Sequence, residues 1–379
     1  MKLLHIVRQF YPSKGGMEVY VAGLVSELAS MGISLDILTL NQVFVSEQKL
    51  TSEDSFDAGG NKVPVKRVPF AGFQRMFFPD LSEVDFSEYD LIHIHGVDGF
   101  LYKIARMKKR GQINAPVLLT THGGIFHTRF MWLFKHIWFK TKVARCLKYV
   151  DRIFACSLQD LHRFQDIASH TVLFENGVIL KDLLDGNYSP GRDKLLYVGG
   201  FRENKRVPVL LNWFYSIARD YPSLKLSIVG TGEQQRQCEE FVHRHELSDR
   251  VTLCGRVSQS ELKKLYLEAD IFVTASAYEG FGQSVVEAMA AGCVIFAQEL
   301  PPFQSFVIFG KNGILTDFDG EQARVDFQKL VSCPAWEWEK KKLESRKISA
   351  RYDWRIKARE YLEVVKHYCC KTPEKQEKE

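Results

Sequence analysis

Short apolar runs alternate along the chain with longer stretches of helical periodicity. In the first half, predicted strands at 3–7, 34–40, 91–94, 117–121, 152–155 and 171–174 accompany helix patterns at 17–30 and 131–149. Strands kept apart by helices predict a parallel sheet covered on both faces. The pattern then restarts, with strands predicted at 194–198, 225–229, 251–253, 270–274 and 294–297 and helices between them. The expected fold class is α/β, with two doubly wound, Rossmann-like domains in tandem. The first is placed at 1–185 and the second at 190–353, followed by a helical segment and polar tail over 354–379. The polar stretch 181–193, containing Asp185-Gly186-Asn187 and Ser189-Pro190-Gly191, is the expected linker. Open α/β sheets bind ligands at the carboxyl ends of their strands, so the substrate cleft is expected between the domains.

A length of 379 residues suits two domains, each able to bury its own core. The net charge of +5 is modest for this size and gives no reason to expect nucleic acid as a partner. The eight cysteines show no C-x-x-C pair and no metal-ligand spacing, which predicts reduced core thiols in a cytoplasmic protein. The first apolar run is too short for a secretory signal, and no stretch of ~18 uncharged apolar residues is present to span a membrane. Over 127–150, however, Phe130, Trp132, Phe134, Trp138 and Phe139 interleave with Arg129, Lys135, Lys140, Lys142, Arg145 and Lys148. That composition suits docking on an anionic membrane surface; the plainer reading is a packing helix with aromatic core residues.

The richest chemistry lies at 277–292, in Ala277-Tyr278-Glu279-Gly280-Phe281-Gly282-Gln283-Ser284-Val285-Val286-Glu287-Ala288-Met289-Ala290-Ala291-Gly292. A strand, a glycine loop and a helix are predicted in turn, so the unpaired N–H groups of Phe281, Gly282, Gln283 and Ser284 are candidates to hold a phosphate. Glu279 and Glu287 stand just over two helical turns apart, a reach that fits two ends of one polyhydroxylated ligand. Gly15 and Gly16 form a tight strand-to-helix turn that phosphate or sugar can approach, and Glu18 is expected to cap that helix or face the acceptor. His122 ends a predicted strand ahead of two glycines. His93 and His95 alternate on another strand, His95 toward its rim and His93 as a structural residue. Arg202 and Lys205 would act as fixed cations beside a departing diphosphate. Asp317-Phe318-Asp319 has the look of a metal motif but is expected to be a polar turn, so no essential metal is predicted.

The run at 279–287 resembles the E-x7-E signature of the retaining glycosyltransferases of family 4, which have the GT-B fold. The resemblance extends over most of the chain through Gly15-Gly16-Met17-Glu18, Thr121-His122-Gly123-Gly124, Asn176-Gly177-Val178, Tyr197-Val198-Gly199-Gly200 with Lys205, and Val229-Gly230-Thr231-Gly232. It implies that the last helix packs back on the first domain, and that His122 lies beside the donor sugar with His127 a less certain acceptor contact. It further implies that Gly230 lets a nucleotide approach, that Gly255-Arg256-Val257 presents main-chain groups to the base, and that Glu287 and Glu279 hold ribose and sugar hydroxyls. The family's usual arginine falls at Gly200, and Arg202 is expected to replace it from the same face of an extended segment.

The first half also resembles bacterial mannosyltransferases that extend polyprenyl-diphosphate-linked saccharides. This implies GDP-mannose as donor and a lipid-linked saccharide as acceptor, with UDP-glucose or UDP-N-acetylglucosamine as the alternative donors. It also places the protein in the cytoplasm, peripheral on the inner membrane face. A phosphorylase of this fold would need a pyridoxal-phosphate lysine, for which the sequence shows no signature. A non-catalytic sugar-binding protein is the alternative from another class, against which Glu279, His122 and Lys205 all stand.

Overall fold

The computed structural model describes residues 1–13, 15–44, 48–73, 76–123 and 137–370. The chain forms two compact units, one made of Met1–Gly177 with Trp354–Glu379 and the other of Val178–Asp353.

In the first unit an eight-stranded sheet runs Thr171–Leu173, Arg152–Ala155, Val117–Thr120, Leu91–His95, Lys2–Val7, Ser34–Leu40, Asn61–Val68, Glu53–Ala58. Every neighbouring pair is parallel except the last, an antiparallel hairpin that turns at Gly59 and Gly60, both at positive φ. The sequence pattern hid this hairpin because its edge strand, Glu-Asp-Ser-Phe-Asp-Ala, is mostly exposed and polar. A second hairpin pairs Phe70–Phe73 with Met76–Pro79. The central strands are buried on both faces, as in a covered parallel sheet.

The six-stranded sheet of the second unit is wholly parallel. Its order is Val251–Gly255, Lys225–Val229, Lys194–Val198, Ile271–Thr274, Val294–Gln298, Gly313–Thr316. The strand Gly313–Thr316 extends the edge beyond the five that the apolar pattern predicts.

The expected linker belongs to the second unit, and the change of unit falls at Gly177–Val178 instead of within 181–193. Part of the stretch is the helix Lys181–Leu184, and its turns are tied down by the helix Ala335–Ala350. Trp338 Nε1 donates to the Gly191 carbonyl at 2.9 Å, Arg346 donates to the carbonyls of Gly186 and Leu184, and Lys342 to that of Ser189. Polar turn residues mark a linker only where nothing satisfies their backbone groups, and here long donors from another helix do.

The helix Trp354–Cys369 belongs to the first unit. Its anchor is Trp354, 2% exposed, whose indole lies edge-on to Tyr20 with centroids 4.8 Å apart. A Cβ on either Gly23 or Gly177 would run into that indole. The glycine of Asn176-Gly177-Val178 therefore serves packing. All eight cysteines are free; Cys156, Cys238 and Cys293 are buried, whereas Cys370 is exposed rather than part of the core.

Gly23→Ala and Gly177→Ala are each expected to cost about 1–3 kcal/mol through overpacking. Urea denaturation checks this, and in a Trp354→Ala background the cost of Gly23→Ala should largely vanish. Additive losses would show that the indole is not the clashing partner.

Candidate functional site

In the second unit, candidate residues gather on loops that leave the carboxyl ends of neighbouring strands. Lys194–Val198 runs into Gly199-Gly200, and Ile271–Thr274 runs into the loop carrying Ser276 and Glu279. The two loops are hydrogen-bonded together, Ala277 N–H donating to the Asn204 carbonyl at 2.8 Å and Asn204 Nδ2 to the Tyr278 carbonyl at 3.4 Å. Across this junction Lys205 Nζ meets Glu279 Oε1 at 2.5 Å, and Ser276 Oγ donates to the same oxygen at 3.1 Å. Both charged side chains keep some access to solvent, 23% for Lys205 and 14% for Glu279. A lysine ammonium has three protons, so one bond to Glu279 leaves donors for an anionic ligand.

Arg202 is exposed, and among the described residues its side chain forms no ion pair. Its Nε lies 3.6 Å from the point where a Cβ on Gly200 would stand. The Arg202 side chain thus passes in van der Waals contact with the Cβ position of residue 200. Arg206, by contrast, pairs with Asp319. Asp317 Oδ1 accepts from the Asp319 N–H at 3.0 Å and from Gln298 at 3.3 Å, as a polar turn would have it.

Gly282 has φ +96° and caps the helix Gln283–Ala290; a Cβ there would come within 2.5 Å of the Phe303 ring. The helix start exposes the N–H groups of Gln283 and Ser284, which have no carbonyl of their own helix to bond. Phe281 contributes only its backbone, since its ring is buried against Phe306 and Tyr352. Glu287 Oε2 accepts from Tyr266 OH at 2.7 Å, and burial raises its carboxyl above the usual range. The sequence reading missed Tyr266 and Ser276. A tyrosine facing a buried carboxylate needs a partner for its hydroxyl, but the 21 residues between them hide the pairing.

Two glycine motifs also serve the packing of the chain itself. Gly230, at φ +136°, has the Gly199 carbonyl where its Cβ would be, so it lets two segments of the chain approach each other. Its N–H donates to the Gly255 carbonyl at 2.8 Å, beyond which Val257 is partly buried against the apolar core. In the first unit, the carboxylate of Glu18 folds back over Gly15, 2.5 Å from the Cβ position, and burial raises its pKa. The chain's own glutamate thus covers Gly15, whereas among the described residues nothing lies within 4 Å of a Cβ on Gly16.

Also in the first unit, His122 adopts the left-handed conformation, φ +46°, at the end of strand Val117–Thr120. Such a backbone is costly outside glycine and needs support. Asp160, 3% exposed, supplies it by accepting from Thr121 Oγ1 at 2.7 Å and from Gly123 N–H at 2.8 Å. The edge of Tyr20 stands against the His122 ring at 4.6 Å, and burial lowers the imidazole to about 3. His95 does not face the rim: it, His93 and His5 are all fully buried. Their ligand atoms lie within 4.8 Å of one another, the spacing of a metal site. Five of their six ring nitrogens already have partners, and among the described residues His5 Nε2 has none, so a metal would have to displace hydrogen bonds. Gly124 and His127 lie outside the described residues, as does 127–136 of the basic aromatic segment.

Known proteins share this organisation. The family model described as Glycosyltransferase Family 4 matches residues 14–181, and that described as Glycosyl transferases group 1 matches 186–344. The GDP-mannose:cellobiosyl-diphosphopolyprenol alpha-mannosyltransferase of Xanthomonas campestris is 30% identical over 386 residues, covering 100% of this chain and 99% of that protein. A protein of the same name from Komagataeibacter xylinus is 29% identical, covering 96% and 92%. Among solved structures, sucrose-phosphate synthase from Thermosynechococcus elongatus superposes with a TM-score of 0.71 at 20% identity, over 97% of this chain and 98% of that one. Anabaena Alr3699/HepE in complex with UDP gives 0.70 at 16% identity, over 97% and 100%. The first pair of likenesses reaches through sequence and the second through fold, and together they show that this chain is a glycosyltransferase belonging to family 4, with the GT-B fold.

Proposed function

We propose that the chain transfers mannose from GDP-mannose, with retention, to a polyprenyl-diphosphate-linked saccharide. The observation that carries this is the full-length likeness to proteins named for that donor and that class of acceptor. In this reading the Gln283 and Ser284 amides and the Arg202 and Lys205 cations receive the diphosphate. Glu287 accepts from ribose hydroxyls, and Glu279, oriented by Lys205 and Ser276, accepts from the sugar. The sugar–phosphate bond breaks first; the acceptor oxygen then bonds to the sugar carbon from the same face as its hydroxyl proton passes to the departing phosphate. Charge developing on that phosphate meets donors already in place, which is where electrostatic catalysis gains most. A metal is not required in this scheme because the two side-chain cations perform its task.

The lipid-linked acceptor implies work at a membrane surface. Two features of the first unit support that. Lys140, Lys142, Arg145 and Lys148 are exposed beside Ile137, while Phe139 turns into the core and Trp138 packs on Tyr102. On the hairpin of Phe70–Phe73 and Met76–Pro79, Phe73, Met76 and Phe78 are 61%, 57% and 66% exposed, while Phe77 anchors it to Phe100. No helix among the described residues is long and apolar enough to cross a membrane.

Transfer should persist in EDTA, and Lys205→Ala should lower turnover on the order of 10²-fold or more. Arg202→Ala should also slow it; wild-type turnover there would mean that Arg202 does not replace the arginine missing at Gly200. By titration calorimetry GDP should bind more tightly than UDP, and Glu287→Ala should weaken GDP by about 1.5–3 kcal/mol. A preference for UDP would overturn the donor, and unchanged GDP affinity the ribose contact. Sedimentation with vesicles should rise with anionic lipid and fall with salt, each basic side chain near the surface contributing ~1 kcal/mol. Replacing Lys140, Lys142 and Arg145 with Glu should abolish it while leaving donor hydrolysis intact. Undiminished sedimentation would remove these cations from the membrane reading.

A further inference from the structure

We propose that His5, His95 and His122 form one hydrogen-bonded chain of imidazoles that fixes His122 as its Nδ1–H tautomer, with His95 the positioning residue. His5 Nδ1 lies 3.1 Å from His95 Nε2, and His95 Nδ1 lies 3.3 Å from His122 Nε2. His5 and His95 are completely buried, and burial depresses all three imidazoles, so each ring carries a single N–H proton. Each ring then donates from one nitrogen and accepts at the other, and the sense of one bond dictates the sense of the next.

The ends of the chain choose between the two senses. His5 Nε2 is buried and has no partner. Were protons donated from His122 toward His5, that nitrogen would carry an orphaned N–H. In the opposite sense it keeps only a bare lone pair, the more readily tolerated of the two, as orphaned buried N–H groups are the rarer. Donation therefore runs from His5 Nδ1 to His95 Nε2 and from His95 Nδ1 to His122 Nε2. The remaining proton of His122 sits on Nδ1, facing Cys156 Sγ at 3.9 Å. That thiol is raised to about 12 by burial, so it is not an anionic partner.

The chain is braced from the side. His93, its ring 4.1 Å from that of His95, is held by Thr120 Oγ1 at 2.8 Å and by Tyr361 OH at 3.0 Å. Tyr20 closes the other side of His122 and His95. With both ring nitrogens engaged, His122 does not exchange protons with substrate; it is an oriented wall. Asp160 fixes its backbone and His95 fixes its ring. The effect on transfer rests on the reading that His122 lies beside the donor sugar.

Nitrogen-15 spectroscopy of the histidine side chains tests the chain in the wild-type protein. His122 should appear as a single Nδ1–H tautomer that does not titrate between pH 5 and 8; an Nε2–H tautomer, or titration near the ordinary value of about 6.5, would overturn the proposal. His95→Leu should release the tautomer and lower kcat on the order of 10²-fold with little change in donor KM, as a misplaced group does. His95→Gln, which can accept and donate in turn, should recover most of the loss. An unchanged His122 spectrum in His95→Leu would also overturn it. Wild-type kinetics in His122→Ala would instead remove His122 from the sugar site and leave the chain of imidazoles standing.

Discussion

Lys342 and Asp270 form a fully buried ion pair at 3.1 Å, 0% and 2% exposed, and the second unit is organised around it. Asp270 stands just before the strand Ile271–Thr274, and its other oxygen accepts from the N–H groups of Asp193 and Lys194, both at 3.0 Å, where the neighbouring strand begins. Lys342 also donates to the Ser189 carbonyl. One carboxylate and one ammonium thus join the entry of two strands to the helix Ala335–Ala350. A buried charge left without its partner costs several kcal/mol, so each member enforces the position of the other. Fixing the amino ends of these strands sets where their carboxyl ends point, and those ends launch the loops that bear Lys205 and Glu279.

At those carboxyl ends, stability gives way to placement. Gly230 and Gly282 sit in positive-φ conformations with neighbours pressed where a Cβ would be, and His122 takes a similar backbone with a side chain. Polar side chains hold these loops: Asp160 supports the strained backbone at His122, and Ser276 with Lys205 orients Glu279. Loops held this way start near the geometry their ligand needs, which reduces the ordering that binding would otherwise cost.

The covered strands were legible because a parallel sheet imposes long apolar runs, and each predicted strand of both sheets is present to within two residues. The hairpin at 53–68 was not, since its outer strand, Glu53–Ala58, is mostly polar and exposed. Lys205 and Glu279 were legible as a motif, and the structure brings them into contact. Tyr266, Asp160 and His5 were not, because their partners lie 21, 37 to 39 and 90 residues away and nothing local marks them. Glycine was legible as a need for special backbone, but the sequence could not say whether a ligand or the chain itself takes the space. At Gly230 and Gly177 it is the chain.

The pocket between Gly23 and Gly177 is filled by a residue that follows the whole second unit in sequence. The last strand of the first sheet ends at Leu173, yet the indole that fills the slot is made only after the entire second unit. Until then nothing can fill the space beside Gly23 and Gly177 that the indole takes in the finished fold. The second unit, encoded without interruption from Val178 to Asp353, can complete its own core first. Translation order and assembly order are therefore reversed in this chain: the half that emerges first is the half that is finished last.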